Sequence, residues 1–370
     1  MSTSSLSRSW DPLDLLQLRA MPRMTSRLFI EALESASGFD AYLEGPVFHQ
    51  TFRRHQEVLF ERTDRNRLRD EALKQLERCQ RARVSLVSIL DERYPDLLRR
   101  IPYPPNLLFV RGTLRHHESL SLSIVGTRQC TQYGHAVTER FARDCSEAGL
   151  IITSGLAAGI DSIAHKVTVD RGGVTYAVIA CGIDVIAPSY AAHLARSISE
   201  GQGAVISEYP CGVRALPPYF PQRNRIISGI SKALLVVESG RRGGSLITAR
   251  FAMDQARDVY AIPGMITAER SMGTNLLIAE SAAAAALTPQ QILLDYGLRT
   301  EATETAVEFG SSAEERVFAA VSHEPVHIDA LAERFDLPAA DVLVILLTLE
   351  FKGYVRQLPG RMFVREMLPR

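Results

Sequence analysis

The sequence lacks the cysteine patterns that staple small secreted domains or bind zinc. Its five cysteines are odd in number and widely spaced, and none belongs to a CxxC or Cys/His cluster. This pattern argues against a disulfide framework and against a zinc site, and it favours a reducing cytosol. We expect no bound metal. No apolar run reaches membrane-spanning length, and the Ser-rich start has no hydrophobic segment of a secretion signal. We therefore expect a cytoplasmic protein that does not bind a membrane.

The sequence also has no net charge, since 42 Lys and Arg balance 42 Asp and Glu. The overall charge gives no support to a nucleic-acid partner. Only four of the 42 basic residues are lysines, which leaves 38 arginines. Arginine pairs with phosphate through a planar fork and stacks on bases, whereas a GC-rich genome produces the same excess without any function. A local cluster of arginines would favour the functional explanation, whereas an even distribution would favour genome composition.

Two nucleotide-binding fingerprints are missing as well. There is no GxxxxGK[ST] loop with a Walker-type Asp, and no GxGxxG after the first strand of the central region with an acid about 20 residues further on. We expect no cofactor.

The middle of the chain alternates short apolar runs with amphipathic stretches long enough for one helix each. This alternation predicts an α/β domain with a doubly wound, mostly parallel, Rossmann-like sheet. In such sheets ligands bind beyond the carboxyl ends of the strands. The predicted strands are Leu122–Val125, Leu150–Thr153, Thr175–Ala180, Ala204–Ser207, Ala233–Val237 and Val259–Ile262.

The C-terminal part has the pattern of a winged helix. Helical patterns over Glu314–Ser322, Ile328–Phe335 and Ala339–Phe351 precede a hairpin with strands at 353–355 and 362–364. Residues 311–370 hold 7 basic and 9 acidic residues, and the third helix offers nothing to a phosphate. A protein-contact or structural role is therefore favoured over DNA binding.

Residues 11 to about 90 carry apolar residues at helical spacing. The first turn there has Pro22 and Arg23 where a DNA-binding helix hairpin normally has glycines, which favours packing or partner binding. Residues 299–312 are polar and acidic. The predicted division is an N-terminal helical domain of the SAM or helix-hairpin-helix type (1–90), a Rossmann-like domain (91–297), a linker (298–312) and a winged helix (313–370).

Two loops after predicted strands can approach an anion. Gly126-Thr127-Arg128 combines a glycine turn with a hydroxyl and a guanidinium, although a tight turn with a surface Arg explains it equally well. The loop from Ser154 to Asp161 contains Gly155 and Gly159. Asp161 suits a helix N-cap, with His165 as a buried hydrogen-bonding residue rather than its catalytic partner. The glycines of the loop are the better candidates for holding phosphate, and Lys166 on the following helix is a further candidate nucleic-acid-binding residue.

Two further loops hold the local cluster of arginines. From Arg214 to Arg250 there are seven basic residues against one acid, Glu238. Aromatic and Arg side chains together suit a sequence-tolerant single-strand site, although packing of Phe220 under its loop is the plain alternative. The candidates of the third loop, before a helix predicted to begin near Ile226, are Phe220, Arg223, Asn224 and Arg225, and those of the fourth loop are Gly244, Ser245 and Thr248.

These loops, in this order, resemble the DNA-processing protein A family (DprA, also called Smf). The resemblance covers residues 94 to about 282, extends to the winged helix, and is only loose in the N-terminal region. The matching stretches are Tyr94-Pro95, Leu107–Gly112, Ser123–Arg128, Ser154–Asp161 with His165, Ile206–Pro210, Phe220–Ile227, Ser245–Ala249 and Ile262–Gly264.

The resemblance implies a homodimeric protein that binds and protects single-stranded DNA and helps to load the recombinase RecA during natural transformation, without known catalysis. It also implies that Gly126, Thr127, Arg128, Ser154, Gly155, Phe220, Arg223, Asn224 and Arg225 line the DNA pocket.

Our hypothesis is a non-catalytic single-strand binder. Phosphates lie across the Gly126 and Gly155 turns, three arginines (Arg128, Arg223 and Arg225) neutralise them, and Phe220 stacks a base. Two alternatives stay open. One is a Rossmann-like nucleotide phosphoribohydrolase, although the Pro-Gly-Gly-x-Gly-Thr loop and its nearby Glu are missing. The other is an adaptor that works mainly through protein contacts.

Overall fold

The computed structural model describes residues 10–22, 24–53, 62–115, 120–186, 189–298, 309–322 and 324–365. The chain forms two compact units, Met1–Leu298 and Arg299–Arg370. Most of the predicted linker (299–308) and Arg23 of the predicted first turn lie outside the described residues. Each unit has a hydrophobic core of its own. Within the described part of the chain, no helix combines the length and hydropathy needed to cross a bilayer.

The first unit begins with helices. Asp11 caps the first of them, accepting a hydrogen bond from the Leu13 amide at 2.7 Å, and Pro12 occupies the first helical position. Trp10 is buried beside them and donates to the Ala36 carbonyl. The helices are α1 (Pro12–Ala20), α2 (Ser26–Ser35), α3 (Phe39–Glu44), α4 (Pro46–Arg53) and α5 (Arg62–Arg81).

The prediction of a helical region up to residue 90 is wrong at its end. Ser85–Ser88 forms strand β1, which pairs antiparallel with β2 (Leu107–Gly112), and β2 pairs antiparallel with the parallel part of the sheet. Pairing with β2, about 20 residues further along the chain, makes this short segment a strand. The other strands are β3 (Ser121–Val125), β4 (Ile151–Ser154), β5 (Thr175–Ile179), β6 (Ala204–Ser207), β7 (Ala233–Val236), β8 (Asp258–Ala261) and β9 (Ala284–Ala285).

The sheet order is β1-β2-β6-β5-β4-β3-β7-β8-β9, and β3 to β9 all run parallel. The predicted doubly wound, mostly parallel sheet is therefore confirmed. Every residue of β3, β4 and β5 is buried, as expected for strands covered by helices on both faces. Because β3 lies between β4 and β7, the chain order reverses there, and this switch point opens a crevice at the carboxyl ends of the strands.

The helices that cover the sheet follow the strands in turn. They are α6 (Asp96–Arg99), α7 (Gln132–Glu147), α8 (Ile160–Asp170), α9 (Ser189–Glu200), α10 (Tyr219–Ile230), α11 (Gly244–Asp254), α12 (Met272–Ala279) and α13 (Pro289–Asp295).

The second unit is a winged helix, as predicted. Two helices, α15 (Ile328–Phe335) and α16 (Ala339–Phe351), have the predicted bounds. The predicted start of the hairpin's first strand is wrong by two residues, because this strand begins at Val355. Phe309, at the end of the predicted linker, packs on Phe318 with ring centroids 5.4 Å apart. The remaining elements are α14 (Ser312–Ala320), β10 (Val326–His327), β11 (Val355–Leu358) and β12 (Met362–Arg365).

Candidate functional site

A cavity of about 450 Å³ lies at the switch point between β3 and β7. The loop after β3 and the loop after β7 form two of its walls, and the first turns of α8, α10 and α11 complete it. Its lining residues are Val125–Gln129, Ala157, Asp161, Phe220, Pro221, Arg223, Asn224, Ile227, Ser239, Gly240, Gly243–Ser245, Ile247 and Thr248.

Buried hydrogen bonds hold the loops after β3 and β7 together. The Thr127 amide donates to the Glu238 carbonyl at 2.9 Å. The Glu238 carboxylate, 2% exposed, accepts from the amide and hydroxyl of Thr131 at 2.9 and 2.5 Å. Thr131 caps α7, so the acid fixes the start of that helix beside the cavity.

The loop after β4 turns sharply under the cavity. Leu156 has a φ of 58°, in the left-handed region that non-glycine residues seldom adopt. The prediction of Asp161 as the N-cap of α8 is wrong, because Gly159 occupies that position. The Asp161 carboxylate instead accepts from the amides of Gly155 and Ala157 at 3.2 and 3.4 Å. Burial raises the pKa of Asp161, and the nearby charge of Arg223 opposes that rise.

Gly159 brings the loops after β3 and β4 into contact. Its φ is +77°, and a Cβ there would lie 2.4 Å from the Thr127 carbonyl oxygen. Ser154 also joins the two strands, because its hydroxyl donates to the Ile124 carbonyl at 2.6 Å in a fully buried position. Ser154 and Gly159 therefore hold together the segments that form the cavity, although neither is among its described lining residues.

His165 is a buried hydrogen-bonding residue, as predicted. Its Nδ1 lies 2.7 Å from the Thr175 hydroxyl, which itself donates to the Ile152 carbonyl. Because that hydroxyl has only one proton, Nδ1 of His165 must be the donor. Burial, with the positive charge of Arg223, lowers the pKa of His165 to about 3. Asp161 and His165 thus have separate partners, which leaves the interpretation as a catalytic pair without support.

This pKa predicts a specific sensitivity to acid. The unfolded chain takes up a proton at His165 near pH 6.5, whereas the folded protein does so only near pH 3. The neutral His165 therefore costs the folded state nothing above pH 6.5, and the free energy of unfolding decreases as the pH falls below that value. At a pH of about 5 the decrease should be between about 1 and 2 kcal/mol. His165→Gln should lack this decrease.

Urea unfolding at several pH values measures the effect. The fluorescence of Trp10, the one tryptophan of the sequence, reports on the unit that contains His165. Equal pH dependence of wild type and His165→Gln would contradict the assignment.

The prediction of a helix beginning near Ile226 is wrong, because α10 already begins at Tyr219. Pro221, which has no amide proton, fits only the first turn of a helix, and this fixes the start. Phe220, Arg223 and Asn224 therefore project from the first turns of α10.

Arg223 lies under the loop after β4 and is only 5% exposed. Its Nη1 donates to the Gly155 carbonyl at 2.6 Å and also to the Val178 carbonyl. A Cβ at Gly155 would lie 2.7 Å from the same nitrogen, so glycine is required for this approach. Burial lowers the pKa of Arg223 to about 10, which leaves the guanidinium charged at neutral pH.

Phe220 and Arg128 meet at the mouth of the cavity. The Arg128 guanidinium carbon lies 5.5 Å from the centre of the Phe220 ring, which is half-buried. A second cavity of about 180 Å³ shares four lining residues with the first: Arg128, Ala157, Phe220 and Arg223. The remaining residues of its lining are Gly155, Leu156, Ala158, Ile179–Cys181, Ile186, Tyr190, Ala191 and Ala215.

The electrostatics of the larger cavity favour an anion. Arg128 and Arg223 carry positive charge against one carboxylate, Asp161. The N-termini of α8, α10 and α11 also point their partial positive charge at the cavity. The described residues contain no cluster of three or more His, Cys, Asp or Glu side chains suited to a metal ion.

The structure brings most of the sequence-predicted residues together and separates the rest. Gly155 lines the smaller cavity. Lining the larger cavity are Gly126, Thr127, Arg128, Phe220, Arg223, Asn224, Gly244, Ser245 and Thr248. Four predicted site residues are not among the described lining residues of either cavity: Ser154, Gly159, Lys166 and Arg225.

The basic stretch from 214 to 250 does not form one surface. Lys166, outside that stretch, is exposed on α8. Within it, Arg225 pairs with Glu208 at 2.7 Å in a partly buried position. Lys232 donates to the Asp295 carbonyl beside Tyr296, at the amino end of β7 and so at the other end of the sheet. Helix and strand geometry, which the spacing in sequence does not reveal, disperses these charges.

Several cavity residues were not anticipated from the sequence. Gln129 and Ser239 lie in the loops that follow the carboxyl ends of β3 and β7, and that position was a usable signal. Ile247 and Ile227 are apolar helix residues that look like core positions, and the sequence gives no sign that they line a cavity.

The chain is similar to a known protein family over most of its length. A family model described as DNA recombination-mediator protein A matches residues 85–297, and a model of the DprA winged helix domain matches residues 300–361. The chain is 39% identical over 284 residues to Protein Smf of Escherichia coli, covering 74% of this chain and 76% of that protein. It is 42% identical over 195 residues to DNA processing protein DprA of Streptococcus pneumoniae, covering 53% and 68%.

Two solved structures are similar. That of DNA processing protein A from Streptococcus pneumoniae has a TM-score of 0.58 and 32% identity, and the match covers 77% of this chain and 98% of that one. DNA processing protein A from Helicobacter pylori, whose structure concerns its single-stranded DNA binding mode, gives a TM-score of 0.52 and 25% identity over 57% of this chain and 94% of that one.

Proposed function

The chain belongs to the DNA recombination-mediator protein A family, and from this membership we propose that it binds single-stranded DNA in the larger cavity without altering it chemically. The observation that carries the proposal is the Arg128 guanidinium on the Phe220 ring at the mouth of that cavity. A ring accepts any base by stacking, and an adjacent guanidinium holds the phosphate. Duplex DNA exposes no base face, so single strands are preferred.

The finer biological role follows the family resemblance. We propose that the protein works in the cytosol as a homodimer, protects incoming single strands and helps to load RecA during natural transformation. A second copy would cover large apolar side chains that are exposed near the end of α11 and around α12, namely Met253, Met265, Ile266, Met272 and Leu276. Light scattering on the DNA-free protein measures the oligomeric state.

We propose a protein-contact role for the winged helix. Its third helix, α16, exposes Val344, Leu347 and Phe351, which suit a protein partner better than a phosphate backbone. A pull-down of RecA with the full chain and with residues 1–298 tests this part separately.

A gel-shift experiment tests the central proposal. Single-stranded oligonucleotides should bind and the matching duplexes should bind more weakly, with affinity that falls as salt rises. Equal or stronger binding of duplex would contradict the proposal. Incubation with nucleoside monophosphates should release no base, and released base would instead indicate a phosphoribohydrolase.

Two arginines distinguish binding in the cavity from a general effect of charge: Arg128, which lines the cavity, and Arg225 on α10, which does not. Arg128→Ala should weaken single-strand binding by about fivefold at 0.1 M salt and lower the salt slope by about 0.7, because one phosphate contact is lost. Arg225→Ala should leave both close to wild type, because Arg225 is held by Glu208 outside the cavity. Fluorescence anisotropy across a salt series measures both values. Equal losses in the two variants would argue against the cavity as the binding site.

A further inference from the structure

A tight turn with two arginines forms one edge of the larger cavity. Gly243 donates its amide proton to the Gly240 carbonyl at 3.0 Å, which closes a β-turn with Arg241 and Arg242 at its centre. Both glycines line the cavity, and both arginines are exposed. The turn therefore presents two cations to solvent directly beside the cavity mouth.

A third arginine stands near the same edge. The Arg270 carbonyl accepts from the Ser239 amide at 2.7 Å, and its guanidinium donates to Gln129 at 3.4 Å. Both Gln129 and Ser239 line the cavity. The exposed acid Glu269 precedes Arg270, and the three arginines of this edge outnumber it.

We propose that bound single-stranded DNA leaves the cavity over this turn, with consecutive phosphates on Arg241 and Arg242. The inference rests on the proposed function and deepens it by giving the strand a path. A cavity of about 450 Å³ has the size of a small-molecule site, so most nucleotides of a longer strand must run over the outer surface.

The charge distribution selects this direction. On the other side, the smaller cavity is lined mostly by apolar residues such as Ile179, Ile186 and Tyr190, and it shares its two lining arginines with the larger cavity. A polyanion gains more by following the edge with Arg241, Arg242 and Arg270.

Oligonucleotides of two lengths test the path. One is a thymidine trinucleotide, and the other has about 20 nucleotides, longer than the roughly 4 to 16 that single-strand sites cover. For Arg241→Ala/Arg242→Ala we expect binding of the long strand to weaken by about 15-fold at 0.15 M salt, with a salt slope lower by about 1.4 for two lost phosphates. The trinucleotide should bind as to wild type.

Controls make each outcome decisive. Neither arginine has a positive φ, so alanine fits the turn, and Trp10 fluorescence checks folding. Arg140→Ala/Arg171→Ala removes the same charge from the pair Arg140–Asp144 in the second half of α7 and from the pair Arg171–Glu147 just after α8. Asp144 keeps Arg143 as a partner, and this variant should retain long-strand affinity. Unchanged long-strand affinity in Arg241→Ala/Arg242→Ala overturns the path but spares the proposed function. Equal loss for both lengths also overturns it, because the turn would then belong to the cavity site. Wild-type protein that binds neither length refutes the proposed function itself.

Discussion

Arg223→Ala should lower the free energy of unfolding of the first unit by about 3 to 5 kcal/mol, the usual result of removing one member of a buried charged network. The side chain is 5% exposed and donates to the carbonyls of Gly155 and Val178. Its loss leaves both carbonyls without that donor and the buried Asp161 without a nearby cation that favours its charged form. Single-strand binding should disappear together with the fold of the loop after β4.

Denaturant unfolding followed by Trp10 fluorescence measures this loss. Arg250→Ala provides the matched control, because Arg250 is exposed on the neighbouring helix α11 and should cost no more than about 0.5 kcal/mol. Arg223→Lys should fall between the two, since an ammonium cannot reproduce the planar fork. Similar stabilities of Arg223→Ala and Arg250→Ala would show that the buried guanidinium does not hold the cavity together.

Phe220→Ala should weaken single-strand binding by between about 5- and 150-fold, which corresponds to the 1 to 3 kcal/mol of one base stacked on a ring. The ring is half-buried at the mouth of both cavities, so stability should change much less than affinity. The salt slope should stay close to wild type, because no charge is removed. Reduced affinity with an unchanged salt slope would distinguish the role of Phe220 from that of Arg128, whose loss should lower the slope.

Two conservative variants distinguish stacking from packing. Phe220→Tyr keeps the ring and should bind almost as wild type, whereas Phe220→Leu keeps apolar volume and should bind nearly as weakly as Phe220→Ala. Wild-type affinity of Phe220→Leu would show that the side chain only packs under its helix. Anisotropy titrations at low and high salt measure all three variants.

The local sequence predicted helices best where start and stop signals are strong. Asp336, Leu337 and Pro338 separate α15 from α16, and both helices have the predicted bounds. The start of α10 is also encoded locally, by Pro221, although the predicted loop extends to Arg225. The role of Asp161 could not be predicted locally. The backbone places Gly159 at the N-cap of α8, so the Asp161 carboxylate instead accepts from the amide of Gly155 in the preceding loop.

The doubly wound sheet, the winged helix and the loops at the strand ends could all be predicted from local sequence, because hydrophobic periodicity and turn residues act over a few neighbouring positions. Which loops meet depends on long-range pairing, since β3 pairs with β7, whose register partners lie about 110 residues further along the chain. The tertiary structure also decided that Arg223 lies in the cavity wall whereas Arg225 pairs with Glu208 outside it. Two residues apart on one helix, these arginines face about 200° apart around its axis, and only the packing of α10 fixes which of them turns inward.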